Sequence, residues 1–319
     1  LSTSITAVDV GEDGVLWLVT ERLESAGFSS VSRFENGQWT SYRTNDPDLD
    51  ISQASFRAAA VGPDGQAFAG TGGDGVTVFP ADGDPAGVVA YDETNSSLRG
   101  ASSNPSFIAV NDVAIDSDGA AWIISEPGTP MHRFDGQNWQ GYAFPGQIPS
   151  TGRPKRIAID EFDQKWLALA SNGLGVWATG DPSTPADDRD VRFSGSARTG
   201  IGLPGSDVRD VVVDGQGRVW VGTDRGLAMI SPDEGLLMTT IQALPGVSAN
   251  ALGLAPDGNL WVGTLEGLVR VDTASAHVTD EVVDLPGRSA QAMAVGPQGN
   301  IWVGTPTGLL VVDSRTGQL

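Results

Sequence analysis

The residues able to do chemistry are few in kind. The 319 residues include two histidines, no cysteine, two lysines (Lys155 and Lys165), 19 Lys plus Arg and 40 Asp plus Glu, for a net charge of −21. Without cysteine there can be no thiolate nucleophile, thiolate metal site or disulfide. His132 lies in MHRFDGQNW and His277 in TASAHVTDE. A Ser-His-Asp arrangement needs an imidazole between a nucleophile and a carboxylate, and neither stretch supplies one. Both histidines are expected as surface or packing residues. Carboxylates are abundant, but nothing in their spacing singles out an acid/base couple.

A more specific polar set follows from spacing. Seven aromatic residues, Trp17, Phe68, Trp122, Trp166, Trp220, Trp261 and Trp302, each follow an apolar stretch and an Asp/Gly turn. Eleven residues before each anchor stand Thr6, Arg57, Asn111, Lys155, Arg209, Asn250 and Gln291, all polar although each adjoins an apolar run. One place on, Asp112, Arg156 and Asp210 add charge, while Ala7, Ala58, Ala251 and Ala292 keep the layer narrow. Three of the seven are basic in a strongly acidic chain. Such a layer could cradle an anionic or sugar-like ligand, with guanidinium forks reading carboxylates or sulfates. Alternatively, the charges pair with nearby aspartates and lock neighbouring strands together.

The elements that hold this layer are repeats. The anchors are separated by 51, 54, 44, 54, 41 and 41 residues, a period typical of propellers and solenoids. In one unit VRDVVVD (208–214) is an apolar β-branched run, DGQG a turn, RVWVGT a second strand, GLAMIS a third and GLLMTTIQ a weakly marked fourth. Short strands between Gly/Asp turns describe an antiparallel meander, and no helical period is sustained. Inner strands apolar on both faces need cover on both sides, which radial stacking of sheets provides. The expected fold is therefore all-β: a seven-bladed β-propeller of four-stranded antiparallel blades forming one domain over 1–319. The last unit ends TGLLVVDSRTGQL, so its fourth strand barely begins. Stretches 80–106 and 179–200 are rich in Gly, Pro, Ser and Asp and read as long surface loops. The repeated Trp, Gly and Thr read as packing residues. The outer aromatics Trp39, Tyr42, Trp139, Tyr142 and Trp177 are expected to pack on the next blade, with stacking on sugar rings as the alternative.

These units resemble the two-component regulator propeller repeat. The lead-in is seen at LSTSITAV (1–8), LPGSDVRDV (203–211), LPGVSANAL (244–252) and LPGRSAQAM (285–293), and a hairpin habit at FENGQWTSY (34–42) and FDGQNWQGY (134–142). Phe68 replaces the tryptophan in the second unit, and DEFDQ replaces the glycine turn in the fourth. The resemblance implies an extracellular or periplasmic sensor-like region, usually followed by a membrane segment and kinase modules. Related streptogramin-lyase propellers use a clustered histidine pair, a glutamate and magnesium, and no matching cluster is evident. Gluconolactonase-like propellers hold a central metal with Glu, Asn and Asp. By that likeness Asn111, Asp112, Asp210 and Asn250 could take Ca²⁺, although no cofactor is otherwise expected.

Charge and composition narrow the partners. A net charge of −21 with no basic run disfavours nucleic acid, and no apolar run spans a membrane. The chain opens at Leu1 without Met or a signal peptide, as a processed protein or a piece of a longer one would. The leading expectation is a noncatalytic module binding a small-molecule or glycan ligand, or a protein, at the polar layer. The alternatives are a secreted metal-assisted lyase or hydrolase and a structural surface protein associating through its loops.

Overall fold

The computed structural model describes residues 4–21, 27–47, 49, 51, 55–144, 153–170, 173–178, 189–193, 202–231, 237–241, 244, 246–285 and 289–319. The first sheet runs in order through β1 (Ile5–Val10), β2 (Leu16–Thr20), β3 (Ser30–Glu35) and β4 (Gln38–Arg43). The pattern repeats in β5 (Phe56–Val61), β6 (Ala67–Gly73), β7 (Val76–Phe79) and β8 (Val89–Tyr91), then in β9 (Ile108–Ile115), β10 (Ala121–Glu126), β11 (Met131–Phe134) and β12 (Trp139–Tyr142). Gly72 and Gly73 at the end of β6 also pair with Ala109 and Ile108 of β9, so these eight strands form one sheet.

Three four-stranded sheets follow. They are β13 (Pro154–Ile159), β14 (Gln164–Leu169), β15 (Gly173–Ala178) and β16 (Arg189–Phe193); β17 (Val208–Val213), β18 (Val219–Thr223), β19 (Gly226–Ser231) and β20 (Leu237–Ile241); and β21 (Ala251–Leu254), β22 (Leu260–Gly263), β23 (Gly267–Asp272) and β24 (His277–Asp284). The last sheet, β25 (Ala292–Val295), β26 (Asn300–Thr305) and β27 (Gly308–Asp313), has three strands among the described residues. The chain divides into two compact units, Leu1–Ala143 with Gln291–Ser314 and Leu319, and Phe144–Ala290 with Arg315–Gln318. In the first unit the opening strands β25, β1, β5 and β9 are successive neighbours; in the second, β13, β17 and β21 are.

Each letter of the repeated WVGT has a physical cause. The aromatic anchors all lie on second strands and are buried except Trp302. The glycine stands where the lead-in or opening strand of the next sheet comes close. A methyl at Gly222 would lie 2.7 Å from the Ala249 carbonyl oxygen, one at Gly263 2.6 Å from Ala290 Cβ, and one at Gly304 2.8 Å from Ile5 Cγ2. The threonine closes the next turn: Thr223 and Thr264 donate through Oγ1 to the carbonyls of Gly226 and Gly267, each at 2.9 Å, and Thr305 to that of Gly308 at 2.7 Å.

The Asp/Gly turn is uniform in backbone. Three residues before each anchor the chain takes positive φ, at Gly in six of the seven repeats and at Asp163 (φ 60) in the fourth, a conformation that non-glycine residues other than Asn and Asp rarely adopt. The glycine missing from DEFDQ is thus replaced without loss of the turn. Asp163 also gives its carbonyl (2.6 Å) and a carboxylate oxygen (2.7 Å) to the fully buried Lys165 ammonium.

The stretches read as loops contain fourth strands. Residues 80–106 include β8, and Leu98 is fully buried in the core. The three residues of β8 are largely exposed and too short to show a pattern. Within 179–200 only Arg189–Phe193 is described, as β16, and the rest lies outside the described residues. The outer aromatics pack. Tyr42 stacks on Trp17 (6.2 Å, 14°), Trp139 on Phe134 (4.7 Å, 23°), Tyr142 lies against Trp122 (5.3 Å), and Trp177 is fully buried. Trp39 packs on Phe34 at 4.8 Å but stays 44% exposed.

One turn residue decides whether a buried indole is satisfied. Where the residue six before the tryptophan is aspartate, its carboxylate accepts the indole N–H: Asp116 from Trp122 and Asp160 from Trp166, both at 2.9 Å, and Asp214 from Trp220 at 2.8 Å. Gly11 and Ala255 hold that place in the first and sixth repeats, and there the indole nitrogens of Trp17 and Trp261 have no hydrogen-bond partner among the described residues. The Ala255 turn has the same backbone hydrogen bonds as the Asp214 turn. Ala255→Asp should therefore stabilise the chain by roughly 1 kcal/mol, the net worth of one added hydrogen bond, seen as a higher urea midpoint at unchanged m-value. An unchanged or lower midpoint would refute this reading.

Candidate functional site

The polar layer found by counting back from the aromatics consists of bulge residues. In the first five repeats the ladder between opening and second strand skips one residue: Thr6 between Ile5 and Ala7, Arg57 between Phe56 and Ala58, Asn111 between Val110 and Asp112, Lys155 between Pro154 and Arg156, and Arg209 between Val208 and Asp210. Asn250 and Gln291 are placed alike. Their amides donate to the carbonyls of Gly263 (2.8 Å) and Gly304 (2.9 Å), glycines already paired with Ala251 and Ala292. A bulge leaves one residue unpaired and re-aims its side chain out of the strand's alternation. That is why a polar residue is tolerated beside an apolar run, and why Arg57, Arg209 and Gln291 are exposed.

In the first unit, Thr6 Oγ1 donates to the Phe56 carbonyl at 3.1 Å, tying β1 to β5 beside Arg57. Asn111 Nδ2 donates to Glu126 Oε1 at 3.3 Å. Arg57 differs from the others: among the described residues its guanidinium makes no ion pair, hydrogen bond or ring contact. Gly72 shapes its seat, since a methyl there would lie 2.8 Å from Arg57 Nε. Asp112 is half-buried on β9 and engaged.

In the second unit the layer is paired. Asp207 bridges Lys155 Nζ (2.8 Å) and Arg209 Nη2 (3.0 Å). Arg156, half-buried, donates weakly to the Lys155 carbonyl at 3.4 Å and faces Asp210 electrostatically. Both carboxylate oxygens of Asp210 are engaged by the backbone. One oxygen accepts the Val211 N–H at 3.0 Å, the other the Leu252 N–H of β21 at 2.7 Å. Burial raises its pKa, with the Arg156 charge and these two N–H groups acting against the shift. Asn250 Oδ1 accepts from Ser248 Oγ at 2.7 Å. Among the described residues no group of three His, Cys, Asp or Glu could hold a metal.

Counting missed Asp207, Glu126, Gly72 and Asp9. Asp207 belongs to the lead-in LPGSDVRD, two residues before Arg209, and that adjacency was its one available signal. Asp9 copies the Asp210 stitch in the first unit: its oxygens accept the Val10 N–H (2.9 Å) and the Val61 N–H of β5 (2.8 Å). Burial pushes its carboxyl up to about 6, opposed by those N–H groups.

His132 is fully buried on β11. Its Nε2 lies 3.0 Å from the Thr129 carbonyl, so Nε2 carries the proton, and Nδ1 accepts from Ser97 Oγ at 2.8 Å. Burial lowers its pKa to about 4, with the Thr129 hydrogen bond opposing and the Arg99 charge adding to the fall. It is a packing residue that pins the 92–107 segment to β11. His277 is exposed.

Residues 202–225 match the family model described as two component regulator propeller. No curated protein sequence matches the chain. Among solved structures, PorZ, a bacterial surface component of the type-IX secretion system of Porphyromonas gingivalis, superposes with a TM-score of 0.78 at 19% identity, over 99% of this chain and 47% of its own. The extracellular domain of the hybrid two component system BT3049 from B. thetaiotaomicron gives 0.70 at 16%, over 98% and 40%. Streptogramin B lyase gives 0.69 at 12%, over 97% and 93%. At these identities the likeness is one of fold, and this chain spans less than half of the first two. No helix among the described residues is long and apolar enough to cross a membrane.

Asp9 and His132, the two strongly shifted groups described in the first unit, oppose each other in acid. Asp9, raised from 3.8 to about 6, contributes stability that is complete below pH 3.8 and lost as pH rises through 6. His132, lowered from 6.5 to about 4, contributes stability that is complete above pH 6.5 and lost as pH falls through 4. Asp9→Asn should steepen the loss of stability between pH 6.5 and 4, and His132→Gln should reverse its sign. Each change is on the order of 2 kcal/mol across the window, less at Asp9 because it is partly exposed. Denaturant titrations at pH 4, 5, 6 and 7 read the slopes directly, and parallel slopes in all three proteins would refute the assignment.

Proposed function

We propose, for a chain that carries the two component regulator propeller repeat, that it is a noncatalytic recognition module: a single seven-bladed propeller of four-stranded blades over 1–319, working outside the cytoplasm. Its ligand contacts are the bulged residues Thr6, Arg57, Asn111, Lys155, Arg209, Asn250 and Gln291. Asp112, Arg156 and Asp210 add charge beside them, and Asp210 also joins β17 to β21. The ligand is anionic or sugar-like, and no metal takes part.

The observation that carries this reading is Arg57. In a chain of net charge −21, an exposed guanidinium without a carboxylate among the described residues is set out by a bulge and seated against a glycine. A purely structural arginine would be paired, as Arg133 and Arg218 are with Asp116 and Asp214. A guanidinium fork left open suits a planar carboxylate or a sulfate. The extracellular domain and the surface component among the similar structures support the placement outside the cytoplasm.

Thermal unfolding against acidic and neutral glycans tests the reading, since a ligand at 100 times its Kd adds about 2.7 kcal/mol. Arg57→Ala should weaken an acidic hit roughly tenfold, about 1.4 kcal/mol, with the unliganded melting temperature unchanged. Gly72→Ala should weaken it in the same direction without altering charge, because its methyl displaces a flexible guanidinium rather than backbone. An acidic glycan bound equally well by both variants would sink the proposal.

A further inference from the structure

The second unit already shows which anion its cations fit. Lys155 on β13 and Arg209 on β17 are 41% and 43% exposed at their side chains, and both hold the single carboxylate of Asp207, at 2.8 and 3.0 Å. The Asp207 main chain is held in place. Its N–H donates to Asp224 Oδ1 at 3.3 Å, its carbonyl accepts the Asp224 N–H at 3.0 Å, and the Ser206 carbonyl before it accepts the Gly173 N–H at 3.0 Å. Arg225, 74% exposed, lies beyond, 3.5 Å from Asp224. Lys155, Arg209 and Arg225 face Asp207 and Asp224, which leaves one net positive charge on a strongly acidic molecule.

We propose that Lys155 and Arg209 form a carboxylate-binding subsite in which Asp207 is a tethered stand-in, displaced when the carboxylate of an acidic sugar enters. This rests on the reading of these two residues as ligand contacts and adds the ligand class and a built-in competitor. The geometry favours a carboxylate because one is already bound there by an ammonium and a guanidinium at ion-pair distance. Displacement requires only a side-chain rotation of Asp207, since its backbone bonds do not involve the carboxylate. The ion pairs broken are partly exposed surface pairs, which water and salt already weaken, so an incoming carboxylate that recovers both loses little. The subsite is partly self-occupied: removing the internal carboxylate should raise affinity, whereas removing an ordinary structural salt bridge should not.

The probe is hexagalacturonate, with its fully methyl-esterified form as control, titrated calorimetrically into the whole chain. Asp207→Asn should bind the acid three- to ten-fold more tightly than the parent, and the ester should bind neither. Adding Lys155→Ala and Arg209→Ala to Asp207→Asn should erase the gain. Equal affinity of Asp207→Asn and the parent, or a gain that survives loss of both cations, would overturn the subsite. So would a failure of parent and Asp207→Asn alike to bind. Should Asp207→Asn melt more than a few degrees low, Asp207→Ser replaces it, with the same outcomes. Arg57→Ala separates the two ideas. Binding lost in Arg57→Ala but unmoved by Asp207→Asn leaves the recognition module and removes the stand-in. Binding raised by Asp207→Asn and indifferent to Arg57 keeps the stand-in and removes Arg57 from the ligand contacts.

Discussion

The structure depends on how closely the opening strand of one sheet can approach the second strand of the sheet before it. That approach leaves no room for a side chain at Gly222, Gly263 or Gly304, where an added methyl would sit 2.6–2.8 Å from atoms of the adjoining segment. The contact distance explains the small residues around it: Ala249 and Ala290 meet the glycines, and Ala251 and Ala292 follow directly on the opening strands. Tryptophans fill the wider space further along the same strands. The threonine at the end of the second strand closes the turn beside each contact, and at Gly222 the Asp214 carboxylate also satisfies the neighbouring Trp220 indole.

The opening strands carry a bulge as well. The ladder passes over one residue whether its partner strand offers a glycine there, as at Gly70 and Gly222, or a larger residue, as at Val19 and Ala168. A residue outside the alternation is not bound by the inside/outside rule of a pleated strand. Seven polar side chains are therefore compatible with the core, and the fold supplies an address for variable chemistry without disturbing its packing. The residues nearby divide the labour. Asp9 and Asp210 use both carboxylate oxygens to stitch one opening strand to the next, whereas Arg57, Lys155 and Arg209 keep exposed head groups.

Burial works in opposite directions on the two kinds of titratable group. It raises the carboxyl of Asp9 and lowers the imidazole of His132, because in each case the charged form is the one that loses water. Both shifts come from burial and run against the hydrogen bonds that each group makes. The nearest thing to a nucleophile pair, Ser97 with His132, has its imidazole fully buried and both ring nitrogens engaged.

The sequence by itself determined the all-β class, the anchor on every second strand and the seven polar positions, because each follows from a local rule. Alternation of apolar residues marks a strand, Asp/Gly pairs mark a turn, and a fixed count from a buried aromatic reaches the same place in every copy. The fourth strands in 80–106 and 179–200 escaped because a three-residue, exposed strand such as β8 carries no period, and pairing alone defines it. The merging of β6 with β9 escaped because Gly72 and Gly73 have no side chains to signal a neighbour. Tertiary structure alone decided which polar residues are free. Arg57 and Arg209 are alike in type and position, yet among the described residues one guanidinium is open and the other holds Asp207. That difference depends on which side chain lies across from each, a distance that spacing along the chain does not contain.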